Sequence, residues 1–320
     1  MRIKNIAFRA LAWMQALFLY AVAGPGLTAE RAVEHVMNIG SGGSEAGQFQ
    51  YVEDIAFSRD GHLLATDASN GWVQAFDKET GKFLARFGGE GDEDGSLDKP
   101  EGIAADPDGN IFIADYITGF IKKYSPNFDW QLTFGGYGTE KGQTKRAEYM
   151  DIRGSRIYLA DGGNDRVIVF DLSGKFLFDF GKSGSGPGEL NDPEAARFGS
   201  DGNLYVTDLK NDRVQVFDPD GKFIRSLGHS GSGRGELKSP AGIAFDAESN
   251  VYVTEVGNDR VQVFDRDGQF LTMWGRKGNG DGEFGNLHGI AIDKKTGLIY
   301  VADTANNRIQ VFRGPKPASQ

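Results

Sequence analysis

The sequence has 320 residues, no cysteine and a formal net charge of −10. The absence of cysteine excludes a disulfide framework, and the excess of acidic residues argues against nucleic acid as a partner. With 39% hydrophobic residues the chain can build a core, and repeated β-structures of this length often form one unit.

Residues 1–29 are typical of a secretory signal peptide. An apolar stretch at 10–23 follows three basic residues, Arg2, Lys4 and Arg9. Small residues place the cleavage site after Ala23 or Ala29. We therefore expect an exported protein, periplasmic or secreted, with no membrane span in the mature chain. If the segment is not cleaved, it would serve as a membrane anchor.

The rest of the chain repeats one pattern, two short apolar strands separated by a polar bend, with 204–217 as its clearest copy. Such a pattern is typical of a β-hairpin. The acidic residues that end the first strand of each copy lie about 47 residues apart: Asp67, Asp115, Asp161, Asp208, Glu255 and Asp303. A repeat of this length made of short strands is typical of one β-propeller blade. The six copies predict an all-β, six-bladed β-propeller.

The two ends of the repeat array predict how the ring closes. The segment 33–40 has the pattern of an outermost strand, whereas the last copy stops after Phe312 without such a strand. We predict that the N-terminal strand pairs with the last blade, which removes the open edges of the array. The predicted domains are the signal peptide at 1–29, the propeller at 30–313 and a tail at 314–320. We expect a monomer.

The repeats resemble the NHL repeat family, most closely at 161–170, 208–217, 255–264 and 303–312. The resemblance implies a six-bladed propeller closed by its N-terminal strand, in agreement with the count of copies. It does not imply one activity, because NHL propellers serve as protein-binding and RNA-binding modules, as sensor domains and as the scaffold of peptidyl-hydroxyglycine amidating lyase.

Four copies carry an arginine five residues after the repeated acid. The pairs are Asp161 with Arg166, Asp208 with Arg213, Glu255 with Arg260, and Asp303 with Arg308. The arginines could form an anion-binding ring, or each pair could be an ion pair that orders its bend. Because a functional site normally breaks the symmetry of a repeat, we interpret these pairs as structural.

The symmetry breaks in the first two blades. Trp72 and Phe120 replace the arginine there, and Tyr116 lies beside the second bend. Aromatic side chains at a loop mouth could stack on a ligand or anchor a partner, or the two blades could simply repack locally. The first interpretation leads to our main hypothesis, an exported binding module for a protein or small-molecule ligand.

The symmetry breaks again just before the first strand of each blade, at one mouth of the central channel. Counting back from the repeated acids aligns Glu53, Glu101, Ala147, Glu194, Ala241 and His288, with Asp54 and Glu148 one residue further on. Crowded carboxylates repel one another unless a cation joins them, and Ca²⁺, Mn²⁺ or Zn²⁺ suits such ligands. Glu53, Glu101, Glu194 and His288 are thus candidate metal ligands. The alternative is a wet acidic mouth with counterions.

The candidate metal site supports a second hypothesis, a metal-dependent lyase or hydrolase. The amidating lyase binds zinc through three histidines, some at this position before the first strand. Here only His288 occupies such a place, since His35, His62 and His229 fall on the closing strand, a turn and a strand end. The sequence leaves both the binding module and a metal-assisted enzyme open, and it identifies no catalytic residue.

Overall fold

Each repeat forms an antiparallel sheet, because its apolar runs are joined by turns too short for a crossover connection. In a computed structural model, residues 33–314 are described, and they contain six sheets of four strands each. The first strands of neighbouring sheets contact one another in a closed ring. The chain is therefore a six-bladed β-propeller, as predicted. The predicted signal peptide at 1–29 lies outside the described residues, as do residues 315–320.

The strands are numbered in chain order, and β1 (Glu34–Ile39) precedes the first complete blade. Blade 1 contains β2 (Val52–Phe57), β3 (Leu63–Asp67), β4 (Trp72–Phe76) and β5 (Phe83–Gly88). Blade 2 contains β6 (Pro100–Ala105), β7 (Ile111–Asp115), β8 (Phe120–Tyr124) and β9 (Trp130–Gly135). Blade 3 contains β10 (Ala147–Arg153), β11 (Arg156–Asp161), β12 (Arg166–Asp171) and β13 (Phe176–Phe180).

The second half of the ring repeats this plan. Blade 4 contains β14 (Pro193–Phe198), β15 (Leu204–Asp208), β16 (Arg213–Phe217) and β17 (Phe223–Leu227). Blade 5 contains β18 (Pro240–Phe245), β19 (Val251–Glu255), β20 (Arg260–Phe264) and β21 (Phe270–Trp274). Blade 6 contains β22 (Leu287–Asp293), β23 (Leu298–Asp303) and β24 (Arg308–Arg313). Short 3₁₀ turns lie at Gly162–Asn164, Leu209–Asn211 and Thr304–Asn306. No helix in this described region has the length and apolar character needed to cross a membrane.

The N-terminal strand closes the ring. In blade 6 the strand order is β1-β24-β23-β22, so the first strand of the chain pairs antiparallel with the last. Ile39, opposite Ile309, is buried in a cluster that also contains Ile55 of blade 1 and Tyr300 of blade 6. The predicted closure is confirmed.

The hydrophobic core lies between blades rather than inside any one of them. Leu64 and Val73 of blade 1, for example, pack with Ile103 and Ile111 of blade 2. Equivalent clusters fill the other interfaces of the described ring. Because each blade buries its faces only against its neighbours, the ring must close before all of this surface is removed from water.

The repeated acid and arginine form an ion pair at each of the four predicted positions. In blade 4, Arg213 Nε donates to Asp208 Oδ2 at 2.7 Å, and Arg213 Nη2 donates to the carbonyl oxygens of Gly186 and Glu189, both at 2.9 Å. The corresponding distances are 2.8 Å for Asp161 and Arg166, 2.6 Å for Glu255 and Arg260, and 2.8 Å for Asp303 and Arg308. Each pair ties a polar bend to the preceding Gly-rich loop.

Candidate functional site

One residue near the start of each blade's first strand lies at the mouth of the central channel. It directly follows the residue that pairs with the repeated acid, as Glu53 follows Val52, the partner of Asp67. In blades 1 to 6 this position holds Glu53, Glu101, Glu148, Glu194, Ala241 and His288. We call these six residues the mouth ring.

Blade 3 departs from the alignment made by counting. Its register pairs Ala147 with Asp161, so Glu148 and not Ala147 belongs to the mouth ring. The reason is a turn one residue shorter: Ile152 pairs with Ile157 across four residues, whereas the equivalent Phe57 pairs with Leu63 across five in blade 1. Counting back 14 residues from Asp161, as in blades 1, 2, 4 and 5, assumed that blade 3 has the same turn length. The structure thus adds a fourth carboxylate to the ring.

Side chains on the second strands hold the mouth ring in place. The carboxylate of Asp67 accepts hydrogen bonds from the amides of Gln50 and Tyr51, at 3.0 and 3.2 Å, and so orders the chain that leads to Glu53. The hydroxyl of Thr66 accepts from the amide of Asp54 at 2.9 Å and donates to the carbonyl of Glu101 at 2.8 Å. Threonines in two other blades make the same bridge, to the carbonyls of Ala241 and His288.

The ring side chains are buried, except for a partly exposed Glu194, and several contact one another. The hydroxyl of Tyr149, which follows Glu148 in β10, donates to Glu53 Oε2 at 2.8 Å. His288 lies between two carboxylates, with Nδ1 3.7 Å from Glu53 Oε2 and Nε2 4.0 Å from Glu194 Oε1. Lys99 pairs with Glu101. The structure therefore brings Glu53, Glu194 and His288 together, and gives Glu101 a separate cationic partner.

Glu53, Glu148 and Glu194 hold protons unusually strongly. Burial raises the pKa of Glu194 to about 8, against a lowering by His288 and with a further rise from Glu53. Burial also raises the pKa of Glu148 well above its usual range, and the charges of Glu194 and Glu101 raise it further. Burial and the charge of Glu101 do the same for Glu53, although its hydrogen bond from Tyr149 acts in the opposite direction. Strongly perturbed carboxyls in a cleft are typical of functional sites.

The side chains at the mouth carry the types of ligand atom that bind a hard divalent cation. Glu148 Oε2 is buried and has no hydrogen-bond partner among the described residues, and Glu53, Glu194 and His288 could add two oxygens and one nitrogen. A set dominated by carboxylate oxygens suits Ca²⁺ or Mn²⁺ better than Zn²⁺. Within residues 33–314, no three His, Asp or Glu side chains are already arranged as a coordination shell. The metal site therefore stays a prediction.

The three candidate aromatic residues lie in different settings. Trp72 packs under the guanidinium of Arg86, 4.4 Å from its ring centre. The ring of Tyr116 lies 3.8 Å below the ammonium of Lys99, at the rim of the acidic mouth. Only Phe120 presents a largely open ring, with 38% of its surface exposed. Cations thus cover two of the three aromatic rings.

The other histidines lie away from the mouth ring. His35 packs edge-on against Phe312 near the outer edge of blade 6, and His229 lies 3.8 Å from Glu236 beside a Gly-rich loop. His62 occupies a turn between β2 and β3. In the part of the chain that the structure describes, His288 is thus the single imidazole of the ring.

Comparisons with known proteins agree with this fold. A family model described as a six-bladed β-propeller matches residues 198–261 and 246–313. The search of curated proteins finds no match. The chain is similar to an auxiliary nutrient binding protein from Bacteroides thetaiotaomicron, with 14% identity over 89% of this chain and 76% of that one and a TM-score of 0.65.

Two enzymes of known structure share the architecture. A virginiamycin B lyase from Staphylococcus aureus is 14% identical over 88% of this chain and 99% of that one, with a TM-score of 0.60. A gluconolactonase from Xanthomonas campestris is 15% identical over 88% of this chain and 98% of that one, with a TM-score of 0.64. Identity this low shows the fold alone. The sequence, the structure and the family model together identify the chain as a six-bladed β-propeller.

Proposed function

We propose that the acidic channel mouth binds a divalent cation and that the propeller uses this site as a metal-dependent lyase or hydrolase. The observation that carries the proposal is the buried Glu148 Oε2, which lacks a hydrogen-bond partner among the described residues and faces a ring rich in carboxylates. A buried carboxylate oxygen without a partner is strongly unfavourable unless the carboxyl is protonated, as in the hydrogen bond that Glu148 shares with Glu101, or is neutralised by a cation.

The ring residues would have different roles in binding the cation. Glu53, Glu148 and Glu194 would supply oxygen ligands, and Lys99 keeps Glu101 neutralised at the rim. The Nδ1 atom of His288 lies 3.0 Å from the carbonyl oxygen of Asn286, which can only accept a hydrogen bond. This contact assigns the proton to Nδ1 and leaves Nε2 as an acceptor facing Glu194. A bound cation would supply Lewis acidity toward a substrate oxygen.

A bound cation would also change the protonation of the ring. Burial raises the pKa of Glu194 to about 8 in the metal-free protein, and a cation held by Glu194 would lower it, so binding near neutral pH would release a proton. The two propellers named as a lyase and a gluconolactonase support an enzymatic role at the level of the fold only.

Titration calorimetry with Ca²⁺, Mn²⁺ and Zn²⁺ tests the cation site on protein purified without chelator. We expect one cation per chain and a loss of affinity of about tenfold or more in Glu148→Gln, because a charged ligand is replaced by a neutral one. Glu79→Gln, which changes an exposed glutamate on the opposite face, is the matched control. If none of the three cations binds stoichiometrically, the metal-dependent enzyme is abandoned.

One observation favours the binding module as a second candidate. Phe120 lies in the same bend as Ile117, and the bend contacts the loop of Tyr137 through a hydrogen bond of 2.8 Å from the Gly136 amide to the Gly119 carbonyl. Ile117 and Tyr137 are 56% and 62% exposed, so blade 2 presents apolar surface beside the mouth. We propose that a protein partner outside the cytoplasm would dock here, given the predicted signal peptide.

Substitution of the exposed rings tests this second candidate. With a partner isolated on the wild-type protein, Phe120→Ala combined with Tyr137→Ala should weaken binding by at least about tenfold, since aromatic anchors dominate interfaces. Leu177→Ala, on the outer strand of blade 3, removes an exposed apolar side chain elsewhere and serves as control. A partner that binds all three proteins equally well must use another surface.

A further inference from the structure

The far half of the central channel contains a cavity of about 250 Å³, and none of the functions above uses it. Its walls come from the lower ends of the first strands of the blades. Ile55, Ile103, Ile243 and Ile290 occupy one register position in blades 1, 2, 5 and 6 and are buried in the blade interfaces. The apolar lining open to the cavity includes Phe57, Phe198 and Ile292. A cavity of this size has room for one small molecule.

The next register position explains both the space and its polarity. In four blades it holds alanine, at Ala56, Ala104, Ala244 and Ala291. In the adjacent blades 3 and 4 it holds Asp151 and Arg197 instead. The small side chains leave the volume open, while two neighbouring blades place opposite charges on one side of it. This break of symmetry is confined to the cavity end of the channel.

The charged groups leave capacity for a ligand. Asp151 accepts one backbone hydrogen bond on each oxygen, from the amides of Ile152 at 2.7 Å and Phe198 at 2.8 Å, and a carboxylate can accept more than two. Arg197 donates to Asp54 and to the carbonyl of Met150. Lys294 adds an exposed ammonium at the cavity rim. The cavity thus offers a carboxylate, two cations and apolar walls.

We infer that this cavity binds a zwitterion with an apolar tail, namely an apolar α-amino acid. Asp151 receives the ammonium group, Lys294 and Arg197 receive the carboxylate, and the lining of Phe57, Phe198 and Ile292 packs against the side chain. Both charges of the ligand are needed, because the cavity contains groups of both charges. A ligand with a single charge would leave either the carboxylate or the cations of the cavity uncompensated.

Titration calorimetry with L-leucine tests the inference, with a chelator present so that the cation site plays no part. We expect L-leucine to bind the wild type, and 4-methylpentanoate and 3-methylbutylamine, each lacking one charge, to bind at least about tenfold more weakly. Lys294→Gln and Asp151→Asn should each weaken L-leucine binding by a similar factor. Lys295→Gln, an exposed neighbour outside the cavity lining, should bind like the wild type.

Three results would each overturn the inference. Either L-leucine fails to bind the wild type, or the singly charged analogues bind as tightly as L-leucine does. Lys294 is exposed, so Lys294→Gln should fold normally even if Asp151→Asn does not, and unchanged affinity in Lys294→Gln would also exclude the site. If Glu148→Gln binds L-leucine as the wild type does, the cavity is a site distinct from the mouth ring.

Discussion

Glycines beside the mouth ring show how closely its strands approach one another. The residue after the ring position is glycine in three blades, at Gly102, Gly242 and Gly289. A Cβ built on Gly102 would lie 2.2 Å from the carbonyl oxygen of Glu148, and one on Gly289 would lie 2.5 Å from that of Glu53. Since no side chain fits at these distances, the close approach of the first strands at Gly102 and Gly289 requires glycine.

Gly102→Ala should therefore push the backbone of Glu148 away and disturb the ring. We expect the free energy of unfolding to fall by about 2–4 kcal/mol, in the range of overpacked sites, with weaker cation binding. Gly42→Ala is the control, because its nearest contact would be an ordinary 3.6 Å. Urea denaturation measures the free energy of unfolding of both variants. Equal stability of the two would contradict a close approach between Gly102 and the backbone of Glu148.

At the scale of elements, the closing strand β1 determines whether the ring is complete. It covers the edge of β24 and buries Ile39 between blades 6 and 1. An uncovered edge of this kind could pair with another chain. The strand is also amphipathic, since Val36 on the same strand remains exposed.

Ile39→Ala should loosen this closure. We expect a loss of about 2–4 kcal/mol in the free energy of unfolding, because a buried isoleucine is truncated and leaves a cavity. Val36→Ala, on the exposed side of β1, should change stability by less than about 0.5 kcal/mol. Thermal or urea denaturation distinguishes the two, and a similar small effect of both would mean that β1 contributes little to the ring.

At the scale of the whole molecule, the mouth ring links stability to pH. The pKa values of Glu53, Glu148 and Glu194 are raised, mainly by burial, so the folded protein binds these protons more tightly than the unfolded chain does. The resulting stability is present at low pH, below the ordinary carboxyl range near about 4. It is lost as the pH rises through the raised values, about 8 for Glu194.

Metal-free protein should therefore become less stable between about pH 5 and pH 8, by on the order of a few kcal/mol. Glu194→Gln, which mimics the protonated side chain, should flatten this slope, while Glu79→Gln should keep it. Calorimetric unfolding with a chelator measures the effect. A divalent cation that binds the ring should restore stability at pH 8, and a stability that rises over this range would contradict the protonated ring.

The amino-acid sequence by itself determined the number of blades and the closure of the ring. Both follow from local information, since each repeat carries its own strands, its own turn residues and an acid at a regular interval. The same reasoning predicted that Glu53, Glu194 and His288 converge. It misplaced blade 3, because a turn one residue shorter than in blade 1 shifted Glu148 into the ring.

Only the tertiary structure decided which groups meet across the channel. Tyr149 reaches Glu53 from 96 residues away, and Arg197 reaches Asp54 from 143 residues away. Lys99 neutralises Glu101, and four alanines open the far cavity. No repeat carries a local signal for such contacts, because they depend on how six blades converge on one axis, where small differences in turn length and side-chain size decide what fits.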